Sequence, residues 1–194
     1  MRKIKILLFS LILFQLNQLY AISENSNSGV KLKQHSKTVI ATIDGNPIYL
    51  SDYEEFVNLF KKRPKTIEDK LNMLNNLINR RILIEDAREK GYFNRKDTKK
   101  NFKKHKFLDK SNKDKTYEET IVLREYFIEN VSKKVKVSKK EIEDFIAKHK
   151  GYKSISKVDA KDMIAFGKEK KIFAELLQKL RANKKIVIFK QNLK

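Results

Sequence analysis

The sequence predicts a mainly helical chain that carries a small antiparallel sheet. Three observations lead there. Apolar residues recur at three- and four-residue spacings in several stretches between Tyr53 and Leu180, the period of one helix face. Asp44-Gly45 stands between two short extended runs, Val39-Ile40-Ala41-Thr42-Ile43 and Ile48-Tyr49-Leu50, a dipeptide that supplies the positive φ angles of a tight hairpin turn. A β-rich run, Lys185-Ile186-Val187-Ile188-Phe189, closes the pattern near the C-terminus.

The chain begins with a targeting pattern. Arg2, Lys3 and Lys5 form a positive region, Ile6 to Phe14 an apolar run, and Gln15 to Ala21 a polar end that finishes on a small residue. Residues 1–21 therefore read as a cleavable secretory signal peptide, too short and wrongly flanked for a spanning helix. Leu19 stands where a small residue is preferred, which leaves an uncleaved inner-membrane anchor as the alternative. Residues 22–38, rich in Ser, Asn and Lys, read as a disordered lead-in. The rest, 39–190, suits one domain.

After the hairpin, Ser51 with Glu54 predicts a capping box, followed by Tyr53, Phe56, Val57 and Phe60 on one helix face. Pro64 disfavours helical geometry at Arg63 and ends this helix. Thr66 with Asp69 starts the next, whose stripe Ile67, Leu71, Leu74, Ile78 and Ile82 is flanked by Leu77 and Leu83. It runs to Gly91, a C′ glycine. Residues 92–116 are strongly basic: Arg95 to Lys115 holds ten Lys or Arg against three Asp, and reads as a solvated, mobile linker with room for a short helix near Thr98 to Lys106. The other reading is a basic arm that touches a client or a membrane surface. Helix returns over Lys115 to Val135, with Thr120, Leu123, Phe127 and Val131 on one stripe and Ile121 and Ile128 beside it. Ser138 with Glu141 caps a short helix carrying Ile142, Phe145 and Ile146, closed by Gly151. A long helix over about Asp159 to Ala182 carries Ile172, Phe173, Leu176, Leu177 and Leu180.

The ordered set Val39-Ile40-Ala41-Thr42-Ile43-Asp44-Gly45-Asn46-Pro47-Ile48, the long helix ending Leu77-Ile78 through Ala87 to Gly91, and Val137-Ser138-Lys139-Lys140-Glu141-Ile142-Glu143-Asp144-Phe145 resembles the N-terminal domain of the SurA-like periplasmic chaperones. That family includes parvulin-type foldases. The resemblance implies that the C-terminal strand pairs back onto the N-terminal strand. Elementary energetics agrees, because a lone hairpin is marginal and a third strand covers one of its edges. In foldases of the family an isomerase domain follows the short helix. Here only Tyr152 to Val158 stands before the next helical pattern, so the parvulin domain is absent and its active-site residues have no positions to map onto.

No catalytic constellation appears. His35, His105 and His149 lie in the lead-in, the basic segment and a helix end, and the chain has no cysteine, which argues against zinc. Glu54-Glu55 and Glu118-Glu119 are adjacent residues that point to different helix faces. Five scattered glycines form no phosphate-cradling loop. No catalytic, cofactor-binding or metal-binding residue is assigned, and the peptide-binding residues are unknown from sequence. Phe56, Phe60, Phe127, Phe145 and Phe173 fall on helical stripes and are expected in the core.

The net charge of +21 attracts acidic polypeptide, anionic lipid or nucleic acid, and the signal argues against the last. Scattered lysines that maintain solubility are an equal reading. The expectation is thus an ATP-independent periplasmic chaperone without isomerase activity. It would hold unfolded envelope or outer-membrane proteins and need no cofactor. The alternatives are a basic protein of the membrane surface, or an adaptor subunit of a separate foldase or barrel-assembly complex.

Overall fold

The computed structural model describes residues 37–60, 63–105, 113–149 and 155–193. The expected signal peptide and the lead-in up to residue 36 lie outside the described residues, as does Gly151. The chain is mainly helical with one small antiparallel sheet, as the sequence predicts. Its elements are β1 (Val39–Ile43), β2 (Asn46–Tyr49), α1 (Leu50–Asn58), α2 (Ile67–Glu89), α3 (Lys96–His105), α4 (Lys113–Asn130), α5 (Lys139–Lys148), α6 (Lys157–Ala182) and β3 (Ile186–Ile188). Single 3₁₀ turns cover Tyr92–Asn94, Ser132–Lys134 and Lys190–Leu193.

Where the sequence suggests one domain, the residues cluster into two compact units. One takes its described residues from 37–85 and 177–193, the other from 86–176. The first is discontinuous because its last strand returns to its first.

In that first unit the strand order is β2-β1-β3, both pairings antiparallel. Asp44 and Gly45 make the two-residue turn with φ of 51° and 84°, the left-handed geometry that the dipeptide predicts. A bulge between Val39 and Ala41 admits one extra residue, and Ile40 and Ala41 are both fully buried as a result. Ile43, Ile48, Ile186 and Ile188 face inward with them onto Tyr53, Val57, Leu74, Ile78 and Ile82. Each fully buried aliphatic contributes about 1.5–3 kcal/mol of transfer free energy. Helix α1 begins one residue before the expected cap. Leu50 N already donates to Thr38 O (2.8 Å), and the Asp52 carboxylate accepts Tyr49 N (2.9 Å), so Ser51 and Glu54 are not needed as the box. The second expected box does form: Asp69 N donates to Thr66 Oγ1 (3.0 Å) and Thr66 N to Asp69 Oδ2 (3.1 Å). Ile67, just inside it, stays 51% exposed and falls outside the core stripe.

In the other unit the short helix expected within 92–116 is present as α3, and residues 106–112 of the expected linker lie outside the described residues. Gly91, at φ 73°, ends α2 as predicted, and the chain then enters a 3₁₀ turn and α3. Two residues anchor this segment, Tyr92 (3% exposed) and Thr98 (fully buried). A buried threonine carries no periodic signal, and the Glu125 carboxylate that accepts its hydroxyl is distant in sequence. The face that α4 buries is also rotated from the predicted stripe. It comprises Val122, Leu123, Tyr126, Phe127 and Val131, while Thr120 turns its hydroxyl to Thr116 O (2.8 Å). Among the five phenylalanines expected in the core, Phe127 is buried and Phe56 packs against the core. Phe60, Phe145 and Phe173 are half-buried.

The Ser138–Glu141 box forms at the start of α5: Ser138 N donates to Glu141 Oε2 (2.8 Å) and Glu141 N to Ser138 Oγ (3.2 Å). Lys168 of α6 lies 2.5 Å from Glu141 Oε1. The Lys168 ammonium, and after it the Ser138 amide, hold the Glu141 carboxyl down to about 2. A carboxyl lowered in the folded state stabilises at pH values above its unfolded value near 4.5, and that contribution is lost as pH falls through about 2. Glu141→Gln is therefore expected to lower Tm at neutral pH, with the difference from the parent protein shrinking toward pH 2 in circular-dichroism melts.

Candidate functional site

The side of the sheet opposite the core is the candidate site. Alternation along the strands sends Thr42, Pro47 and Val187 outward while Ala41, Ile43, Ile48, Ile186 and Ile188 face in. Tyr49 and Phe189 continue the outward parity of β2 and β3. Tyr49 is 37% and Val187 38% exposed, among the few large apolar side chains that open to solvent. Thr38, Val39, Thr42, Gly45, Pro47, Phe189 and Asn192 line a shallow, open depression of about 500 Å³ on this side. Its walls are mostly apolar, with the Thr38 and Thr42 hydroxyls and the Asn192 amide as polar points.

The scaffold around this surface is well tied. Asp44 N donates to Lys185 O (2.9 Å), and Lys185 N returns to Asp44 Oδ1 (2.7 Å). Lys184 Nζ lies 3.1 Å from Asp44 Oδ2 and 3.0 Å from Glu85 Oε1. The Lys185 amide, then the Lys184 ammonium, hold the Asp44 carboxyl below the usual carboxylate range; Glu85 and Asp44 in turn raise the Lys184 ammonium. On the far side of the depression, Phe189 N donates to Ile40 O (2.9 Å) and Asn192 Nδ2 to Val39 O (2.7 Å). The loop entering β3 and the turn leaving it are thereby both fixed to the hairpin. A backbone held this firmly lowers the ordering cost of binding.

A second cluster of polar groups, in the 86–176 unit, is structural. Tyr126 donates its hydroxyl to Asp86, which Lys90 also approaches at 2.6 Å. Tyr92 donates to Glu129 Oε2 (2.8 Å) and accepts from Asn130 Nδ2 (2.9 Å). Arg95 pairs with Glu129 at 2.8 Å, and its guanidinium lies 3.6 Å from the Tyr92 ring centroid. Asn101 Nδ2 donates to Glu125 Oε1 (3.1 Å). Burial first, and the neighbouring carboxylates second, push both tyrosine hydroxyls up from their ordinary range, the opposite of what a nucleophile or base needs. Hydrogen bonds within the cluster occupy these groups.

The residues weighed in the sequence are placed apart. His35 lies outside the described residues and His105 ends α3. His149 Nδ1 sits 2.7 Å from Phe145 O, with its ring stacked 4.2 Å from the Phe145 ring. Glu54, Glu55 and Glu118 are solvent-facing. Among the described residues no group of three His, Asp or Glu is placed to hold a metal ion, and no helix is long and apolar enough to cross a membrane. Lys96, Lys99 and Lys100 are exposed on α3, so this part of the basic segment presents its charge from a packed helix. The outward sheet residues went unassigned in the sequence because alternation shows two faces without saying which is buried.

Comparison of the chain with protein families, with characterised proteins and with solved structures finds no match.

Proposed function

We propose that this chain is an ATP-independent holding protein for unfolded polypeptide, exported to the periplasm by a signal peptide at 1–21. Outer-membrane β-barrel proteins in transit are the intended clients, and no turnover is part of this reading. The observation that carries it is the outward side of the β2-β1-β3 sheet. It is an open, apolar and aromatic surface with a few hydrogen-bonding points, suited to extended segments of varied sequence. The resemblance of 39–189 to the SurA-like chaperones supplies the client class and the compartment. The net charge of +21 adds long-range attraction for acidic clients and speeds encounter.

One observation favours a second reading. Lys96, Lys99 and Lys100 are exposed on one short helix, a basic face of the kind that meets anionic lipid. The two readings part on salt. A urea-unfolded outer-membrane β-barrel protein is diluted into buffer with and without the chain, and light scattering is followed at low and moderate salt. Holding by an apolar surface predicts suppressed aggregation at near-equimolar chain that survives moderate salt. Absence of suppression, or suppression abolished by salt, overturns the proposal and favours the charged-surface reading.

A further inference from the structure

The two edges of the sheet are not equivalent. In β2, Pro47 pairs with Thr42 next to the Ile43–Asn46 pair that closes the turn. The Ile43–Asn46 pair exchanges the hydrogen bonds of a two-residue hairpin, so the backbone nitrogen of Pro47 points away from β1, to the free edge. Proline has no N–H to offer there, and this edge is blunted against strand addition. In β3 the bonds Asp44 N to Lys185 O and Phe189 N to Ile40 O fix the alternation. Residues 185, 187 and 189 turn their backbone to β1, while Ile186 and Ile188 turn both N–H and C=O outward. Both carry full donor and acceptor capacity, and among the described residues the sheet adds no strand beyond β3.

Charge decides what can pair with that edge. Residues 177–193 hold Lys179, Arg181, Lys184, Lys185 and Lys190 and no Asp or Glu. Lys185 and Lys190 are exposed at either end of β3. A second copy docking antiparallel, edge to edge, would bring the lysines of one strand against those of the other, an unfavourable arrangement. A strand with acidic residues outside an apolar-alternating centre meets complementary charge at both ends.

We infer that β3 is a strand-addition site, and that its occupant is an extended polypeptide segment with alternating apolar residues flanked by Asp or Glu. The inference rests on the holding function proposed above and specifies how a client is bound. Backbone hydrogen bonds to Ile186 and Ile188 provide sequence-tolerant affinity. Inward-facing side chains of the added strand extend the apolar layer of Ile186 and Ile188, and outward-facing ones lie beside Val187. A three-residue edge offers two outward residues, so binding is weak and reversible, as a holding protein requires.

The test is an N-methyl scan. A fluorescent nine-residue peptide with a Val/Thr-alternating centre and two Asp at each end is titrated with the full chain, and each central amide is N-methylated in turn. Strand addition predicts that methylation at alternate positions weakens binding at least about fivefold, the loss of one backbone hydrogen bond, and at the intervening positions less than twofold. It also predicts weaker binding of a Lys-flanked peptide. Equal effects at both parities, or equal binding of the Lys-flanked peptide, overturn the inference. So does a concentration-dependent dimer in sedimentation that the peptide dissociates, since the occupant would then be a second copy. If the chain suppresses client aggregation yet binds no peptide of this class, the inference falls and the holding function stands. If it does neither, both fall.

Discussion

Leu193→Ala is expected to lower the unfolding free energy by about 2–5 kcal/mol, the cost of removing a fully buried leucine and leaving a partly relaxed cavity. Leu193 is 1% exposed and belongs to the same buried cluster as Ile40, Ile48, Leu74 and Ile78. The 3₁₀ turn Lys190–Leu193 folds it under the sheet, and its carbonyl accepts Lys70 Nζ at 3.0 Å. The same turn carries Asn192, whose amide closes on Val39 O. Alanine at 193 therefore hollows the core and loosens the closure of the sheet together. Gln191→Ala, on the exposed side of the turn, should change stability by less than about 0.5 kcal/mol. Urea unfolding followed by circular dichroism measures both. A Leu193→Ala protein as stable as its parent would mean that the 190–193 turn does not seal the core.

That residue also shows where sequence reading stops. The expected domain ended at 190 because a single leucine in Gln-Asn-Leu-Lys has no partner at helical or strand spacing. Its burial is a fact of tertiary structure alone. By contrast, local chemistry made the Asp44-Gly45 turn, the Thr66–Asp69 and Ser138–Glu141 caps and the Gly91 terminus legible, since each is settled within a few residues. The return of β3 onto β1 was legible for a different reason: the resemblance implied it, and a two-stranded hairpin needs a third strand to cover one of its edges. Tyr92 and Tyr126 escaped because a tyrosine serves as readily at a surface as in a core. Each is at most 3% exposed. The short helix allowed near Thr98 to Lys106 was legible, but the burial of Thr98 was not, because it depends on Glu125 and Asn101 forming one polar cluster. The candidate site was the least legible part. The pattern at 186–189 is apolar throughout, and only the register with Thr42 shows that Val187 faces out.

Val187 is therefore the side chain on which holding by the outward sheet surface most depends. Val187→Asp and Val187→Lys each put a charge in the middle of the outward apolar surface, beside Thr42 and near Phe189, without touching the core. The cost to folding is about 1 kcal/mol or less, the span of strand propensities. The cost to an apolar contact is larger, because bound polypeptide would have to desolvate the charge. Suppression of β-barrel protein aggregation by the two variants and the parent chain is compared by light scattering at moderate salt, with Tm measured alongside. Both variants are expected to need at least about fivefold more protein for the same suppression, whatever the sign of the charge, with Tm close to that of the parent. Suppression undiminished in both variants would place the holding surface elsewhere on the molecule. Loss in the Asp variant alone would show that charge, and not the apolar sheet surface, holds the client.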